Sequence, residues 1–141
     1  MARRRARQQA VRWLYEHDIG GASVDELVGR SVKGLRAEDA RFAADLLSGV
    51  DAHRDELDEW LGRLSRQWRV QRMAAVDRAI LRLGLFELRY NREVPAPAVL
   101  SEAVELAGVF STPDAKRFVN GVLSQASREV GDAAGEEAPL P

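Results

Sequence analysis

Apolar residues recur along this chain at helical spacing, and no window shows the strict alternation of a half-buried strand. Over residues 3–17, Ala6, Ala10, Val11, Trp13 and Leu14 share one face, which predicts a first helix. Asp18-Ile19-Gly20-Gly21 closes it, since glycine accepts the left-handed turn at a helix end. Ser23-Val24-Asp25-Glu26 is a capping-box pattern that opens a short second helix carrying Leu27 and fading near Lys33-Gly34. A third period begins near Glu38 with Phe42, Ala43, Leu46, Leu47 and Val50, and continues through Leu57, Trp60, Leu61 and Leu64. Polar residues fill 51–56, so the pattern predicts two helices with a bend between 49 and 54.

A linker over 65–70 leads into the most hydrophobic segment, 73–90. Val76, Ile80, Leu83 and Glu87 mark one face there, and Leu81, Leu85 and Leu88 another. A helix apolar on several faces belongs at the centre of a bundle. Pro95 and Pro97 interrupt the chain and start the next helix, whose stripe is Val99, Ala103, Leu106, Ala107 and Phe110. Thr112-Pro113-Asp114 reads as the cap and first turn of the last helix, with Phe118, Val119, Val122, Leu123 and Ala126 inward. Periodicity is lost after Val130. The expected fold is therefore all-α, a compact bundle of about seven helices in one domain over 1–130. Its two groups divide near 66/67, and a mobile acidic tail follows over 131–141.

Composition narrows the chemistry. The chain has no cysteine, which excludes disulfides, thiolate zinc sites and cysteine nucleophiles. No glycine-rich phosphate loop and no HExxH pattern is present, and His17 and His53 are the only histidines. The best metal candidate is the cluster Asp51, His53, Asp55, Glu56, Asp58 and Glu59. A solvated helix turn is the preferred reading, because a hard cation wants about six or more converging oxygens. No metal, cofactor or catalytic residue is assigned, and the chain is expected not to be an enzyme. No apolar run reaches the ~20 residues of a membrane helix, and the expected location is cytoplasmic.

Net charge is only −1, but it is unevenly placed. Arg3, Arg4, Arg5, Arg7 and Arg12 crowd the first twelve residues without an acid. On a helix, Arg3 and Arg7 share one face, as do Arg5 and Arg12. Guanidinium groups fork onto phosphates and stack on unpaired bases, so single-stranded RNA is the natural ligand. A second arginine set, at 63, 66, 69, 72, 78, 82, 89 and 92, is read as a solvated helix exterior. In Lys116-Arg117-Phe118-Val119-Asn120-Gly121, the two basic residues are free to meet phosphate. Asn120 and Gly121 are poor helix formers, which suggests a side-chain hydrogen bond at the first and close helix packing at the second.

Four blocks in order resemble one known family. They are Arg3-Arg4-Arg5-Ala6-Arg7 with Ala10-Val11 and Leu14-Tyr15; Asp77-Arg78-Ala79-Ile80-Leu81-Arg82-Leu83 with Phe86-Glu87-Leu88; Val94-Pro95 with Glu102-Ala103-Val104-Glu105-Leu106-Ala107; and Phe118-Val119-Asn120-Gly121-Val122-Leu123. Over about residues 3–126 the chain is similar to the NusB family of bacterial transcription antitermination factors. The resemblance implies two three-helix subdomains with a linking helix. It implies partnership with NusE, a small-subunit ribosomal protein, and binding of the boxA element of ribosomal RNA leader transcripts. It further implies a place in the RNA polymerase antitermination complex; a homodimer is an alternative assembly. By position, the RNA-binding residues would be Arg3, Arg4, Arg5, Arg7, Lys116, Arg117 and Phe118. The partner-binding residues would be Tyr15, Asp77 and Asp114. Ser101 and Ala115 depart from the family pattern, which often has asparagine and serine there.

Two rivals stand beside this reading. One is a helical protein–protein adaptor without RNA binding. The other is an isolated RNA-binding domain related to rRNA methyltransferases, some of which carry such a domain. On the RNA reading, replacing Arg4, Arg5 and Arg7 together by alanine should weaken RNA binding and leave melting unchanged.

Overall fold

A computed structural model of the chain describes residues 3–30, 32–66 and 68–137, the last six as backbone only. Seven α-helices lie among the described residues, which makes the fold all-α: α1 (Arg4–Gly20), α2 (Val24–Val28), α3 (Ala37–Ala52), α4 (Arg54–Leu64), α5 (Ala75–Tyr90), α6 (Ala96–Phe110) and α7 (Pro113–Glu137). A short 3₁₀ turn, Val70–Arg72, leads into α5.

The predicted ends hold for physical reasons visible in the structure. Gly21 takes φ 76°, the left-handed conformation that lets α1 stop. At α2 both arms of the capping box form: Glu26 N–H donates to Ser23 Oγ (3.1 Å), and Ser23 N–H donates to Glu26 Oε1 (2.9 Å). α3 and α4 break at His53, inside the polar stretch. Thr112 Oγ1 accepts from Ala115 N–H at 3.2 Å and caps α7. One end differs from expectation. α7 continues to Glu137 rather than fading at Val130, since Ala133, Ala134, Glu136 and Glu137 favour a helix without an apolar stripe, against the cost of Gly131 and Gly135. The last four residues of the expected tail lie outside the described residues.

α5 is the hub. It packs against α1, α3, α4, α6 and α7, which is why it carries buried residues on every side. α6 and α7 form one flank, α1 and α3 the other. The α5 helix thus belongs to both predicted groups. Two glycines set how closely its neighbours approach. A Cβ on Gly84 would lie 2.7 Å from Leu123 Cδ1 on α7. A Cβ on Gly49 of α3 would fall well inside contact distance of the Phe86 ring. Gly121, for which the sequence suggested the same role, has nothing within 4 Å of that position and is exposed. Asn120 beside it is exposed too, and its side chain has no hydrogen-bond partner among the described residues.

Candidate nucleic-acid and partner interface

The arginines of α1 radiate around the helix rather than forming one patch. Arg3 and Arg7 do share a face: both guanidinium carbons sit over the Phe42 ring, at 4.4 and 5.4 Å. Arg3 also lies 3.8 Å from Asp39 on α3. Arg5 is exposed, and its guanidinium lies beside Gly34. Arg4 turns to α6, where Glu102 accepts from its Nε and Nη2 at 3.3 and 3.1 Å. Arg12 lies on the same side two turns on, 5.2 Å over the Phe110 ring of α6.

Arg7 departs from the expectation. It is 5% exposed and donates from Nε and Nη2 to the Glu87 carboxylate at 2.9 and 2.7 Å. Glu87 is itself 2% exposed. Burial pulls the Arg7 pKa down, but the hydrogen bonds and charge of Glu87 more than offset that and raise it. A guanidinium held in this way cannot also reach a phosphate, so Arg7 belongs to the core, not to the surface set.

The first turn of α1 contains no acid. Its arginines lie at the positive pole of the helix dipole, where cations are disfavoured and anions welcomed. Such a placement does nothing for folding and favours an anionic ligand. Across α6, Lys116 and Arg117 are exposed at the start of α7. The stem of Lys116 lies over Gly108, whose missing side chain leaves α6 low at that point: a Cβ there would sit 3.6 Å from Lys116 Cε. Arg4 and Arg12 on one side and Lys116 on the other therefore flank the outer face of α6, with Arg117 next to Lys116 in the first turn of α7.

Two grooves open beside this surface, one on each side of the start of α5. The first, about 460 Å³, is lined by Val11, Arg12, Tyr15, Glu16, Val76 and Phe110. The second, about 350 Å³, is lined chiefly by Trp68, Met73, Asp77, Asp114 and Phe118. Ser111 Oγ donates to Asp77 Oδ1 at 2.6 Å and separates the two. Tyr15, Asp77 and Asp114 are thereby brought to neighbouring grooves. Phe118, grouped with the basic residues in the sequence, instead faces Asp77 and Asp114. Trp68, 56% exposed, was missed. Its signal was available: a tryptophan in a polar linker with no partner in the helical pattern. Ser65 is buried and donates from Oγ to Trp68 O at 3.1 Å, which holds the backbone at Trp68.

A larger polar groove, about 940 Å³, lies between α4 and the linker. Its floor corrects the reading of the second arginine set. Arg78 and Arg82 are buried, not solvated. Arg78 donates to Asp18 Oδ2 at 2.9 and 2.7 Å and to the carbonyls of Val70 and Met73. Arg82 makes a two-bond pair with Asp58 at 2.7 and 2.8 Å. Burial alone would raise the Asp18 pKa, but Arg78, Arg82 and Arg54 together hold it below the ordinary carboxylate value. The supposed metal cluster is dispersed by such pairings. Asp58 serves Arg82, Glu56 serves Arg89 and Tyr90, and Asp51 serves His17. No three potential ligands converge among the described residues. None of the described helices is long and apolar enough to cross a membrane.

Comparison with known proteins meets this geometry from outside. The NusB family model matches residues 4–128. The transcription antitermination protein NusB of Symbiobacterium thermophilum is 42% identical, over 97% of this chain and 96% of its own length. That of Rubrobacter xylanophilus is 41% identical over 99% of each. Among solved structures, T. maritima NusB superposes with a TM-score of 0.83 at 26% identity, covering 90% of this chain and 91% of that one. A chain from a crystal structure of antitermination factors NusB and NusE in complex with dsRNA gives 0.79 at 28% identity, covering 92% and 99%. On sequence over nearly its whole length, and on fold, the chain belongs to the NusB family.

Proposed function

We propose that this protein is a transcription antitermination factor that binds boxA-type RNA of ribosomal RNA leaders together with NusE. In that role it acts in the cytoplasm, within the RNA polymerase complex that reads through terminators, and carries out no catalysis itself. The observation that carries the reading is the run of exposed arginines in the first turn of α1, with Lys116 across α6 from it and Arg117 exposed beside Lys116. Family membership and a relative solved with NusE and RNA support it. Arg3, Arg4, Arg5, Lys116 and Arg117 supply phosphate contacts. The surface pair of Arg4 with Glu102 is worth little and can yield to a phosphate. Phe118, in the wall of the groove with Trp68, Asp77 and Asp114, offers an aromatic face for a base that reaches past Arg117. Tyr15, Asp77 and Asp114, with Trp68, line the partner-facing grooves.

The test is binding of fluorescent boxA RNA and a scrambled control, with and without NusE, across a salt series. Five phosphate contacts on a single strand give a slope of log K against log[salt] of roughly −3.5. NusE is expected to tighten binding and to widen the gap between boxA and the control. A slope near zero, with no preference even in the presence of NusE, overturns the reading and leaves a protein adaptor.

A further inference from the structure

The middle of α7 carries a cost that the fold does not explain. Gly121 sits in the third turn of a long helix, exposed, with open space where its side chain would be. Glycine there is markedly less favourable than alanine, and Asn120 adds a further penalty. Where glycine is needed for packing, at Gly49 and Gly84, an opposing side chain fills the space. At Gly121 nothing among the described residues does.

The surroundings of Gly121 have a consistent chemistry. From Ala115 to Arg128 the chain contains no acidic residue. At about 100° per residue, Arg117, Gly121, Ser124 and Arg128 fall on one line along the helix, with Asn120 and Gln125 on either side. Arg117, Asn120, Gly121, Gln125 and Arg128 are exposed. Arg128 Nη2 donates to Gln125 Oε1 at 2.6 Å, which keeps its guanidinium on this face. The bordering acids leave the line clear in its middle. Asp114 stands at the helix start, and Glu129 turns to α4, accepting from Trp60 Nε1 at 2.8 Å. Arg117 and Arg128 are about 16 Å apart along the axis. A basic group at each end, hydrogen-bonding side chains between them and a bare backbone at the centre suit a polyanionic strand lying on the helix.

We propose that the outward face of α7 from Arg117 to Arg128 is a track for the sugar–phosphate backbone of single-stranded RNA, with Gly121 the point of closest approach. The track continues the basic surface at Lys116 and Arg117, and it rests on the RNA reading given above. It extends the contact well beyond the start of α7. The strand is gripped by Arg117 and Arg128, and amide and hydroxyl groups of Asn120, Ser124 and Gln125 contact it between them.

Four single variants of the full chain test this: Gly121→Ala, Gly121→Glu, Arg128→Ala and, as a charge-matched control on α4, Gly62→Glu. Melting temperature and binding of single-stranded boxA RNA are measured for each. Gly121→Ala should raise the melting temperature by about 3 °C, from the recovered helix propensity, yet weaken RNA binding several-fold. Gly121→Glu should weaken binding tenfold or more, well beyond Gly62→Glu. Arg128→Ala should flatten the salt slope by about 0.7. If wild type binds RNA and Gly121→Ala and Arg128→Ala bind as wild type, the track is overturned while the RNA reading stands. If wild type does not bind boxA RNA even with NusE, the RNA reading itself falls.

Discussion

Removing Arg7 separates a structural arginine from a ligand-binding one. Its guanidinium and the Glu87 carboxylate are both buried and joined by two short hydrogen bonds. Arg7→Ala leaves that carboxylate without its charge partner in a place water cannot easily reach. Breaking a buried pair from one side costs about 3–5 kcal/mol. That is a large share of the 5–15 kcal/mol typical of a whole domain. At roughly 3–4 °C per kcal/mol for a chain of this size, the melting temperature should fall by about 9–20 °C. Arg5→Ala, on an exposed side chain, should move it by no more than a degree or two. The assay is thermal unfolding followed by circular dichroism, on Arg7→Ala, Glu87→Ala, the double variant Arg7→Met/Glu87→Met and Arg5→Ala. The double variant should melt well above Arg7→Ala, because apolar side chains of similar size remove both charges at once. An Arg7→Ala protein that melts with wild type but loses RNA affinity would refute the reasoning and return Arg7 to the surface. The expectation that Arg4, Arg5 and Arg7 can be replaced together without loss of stability is accordingly replaced by one for Arg4 and Arg5 alone.

Two further outcomes follow from the packing and the ionisable groups. Gly49→Ala drives a methyl group into the Phe86 ring and should destabilise by about 1–3 kcal/mol, read as a lower denaturation midpoint with an unchanged m-value; an unchanged midpoint would show that the ring can move aside. His17 bonds the Ala22 carbonyl through Nδ1 and Asp51 through Nε2, both at 2.7 Å, and only the protonated ring donates to both. Its pKa is raised, first by the Ala22 carbonyl and then by Asp51, so its contribution is complete below the unfolded value near 6.5 and is lost as pH rises through the higher folded value. His17→Gln should therefore narrow the difference in melting temperature between pH 5.5 and 8.5, and an unaltered difference would assign the pH dependence to other groups.

The helices were legible in the sequence because the information for each is local. Capping residues, proline positions and a 3.6-residue period are read within a turn or two, and so the His53 break and the Thr112 cap fall where expected. Charged residues were read less well. Nothing near Arg7, Arg78 or Arg82 in the sequence shows a buried acid, since Glu87 lies 80 residues from Arg7 and Asp18 lies 60 from Arg78. A long side chain at helical spacing looks solvated until the opposite helix is placed. Gly121 fails for the complementary reason. Local sequence shows that a glycine is costly in a helix but not whether another helix approaches it, and here none does. For the site, Lys116 and Arg117 could be read because exposed charge at a helix start is local. The groove between Trp68 and Phe118 could not, since it exists only once the linker folds back beside α7.

The two buried ion-pair systems explain how one helix can serve both parts of the proposed surface. α1 and α5 run antiparallel. Near one end Arg7 meets Glu87, and near the other Asp18 meets Arg78 and Arg82. Apolar contacts between these helices are non-directional and would tolerate a small slide or rotation. Two-bond guanidinium–carboxylate pairs do not, because their planar forks accept only one alignment. A rotation of α1 by one residue, about 100°, would bury two unpaired charges at once. The pairs thus hold α1 in a single register on α5. That register places the arginines of the first turn at one end of α1 and sets Tyr15 beside Val76 and Phe110 further along it. The basic end and the partner groove are consequently held at a fixed separation. On the proposed reading, an RNA strand and a protein partner engage the same helix together, each meeting contacts already in place.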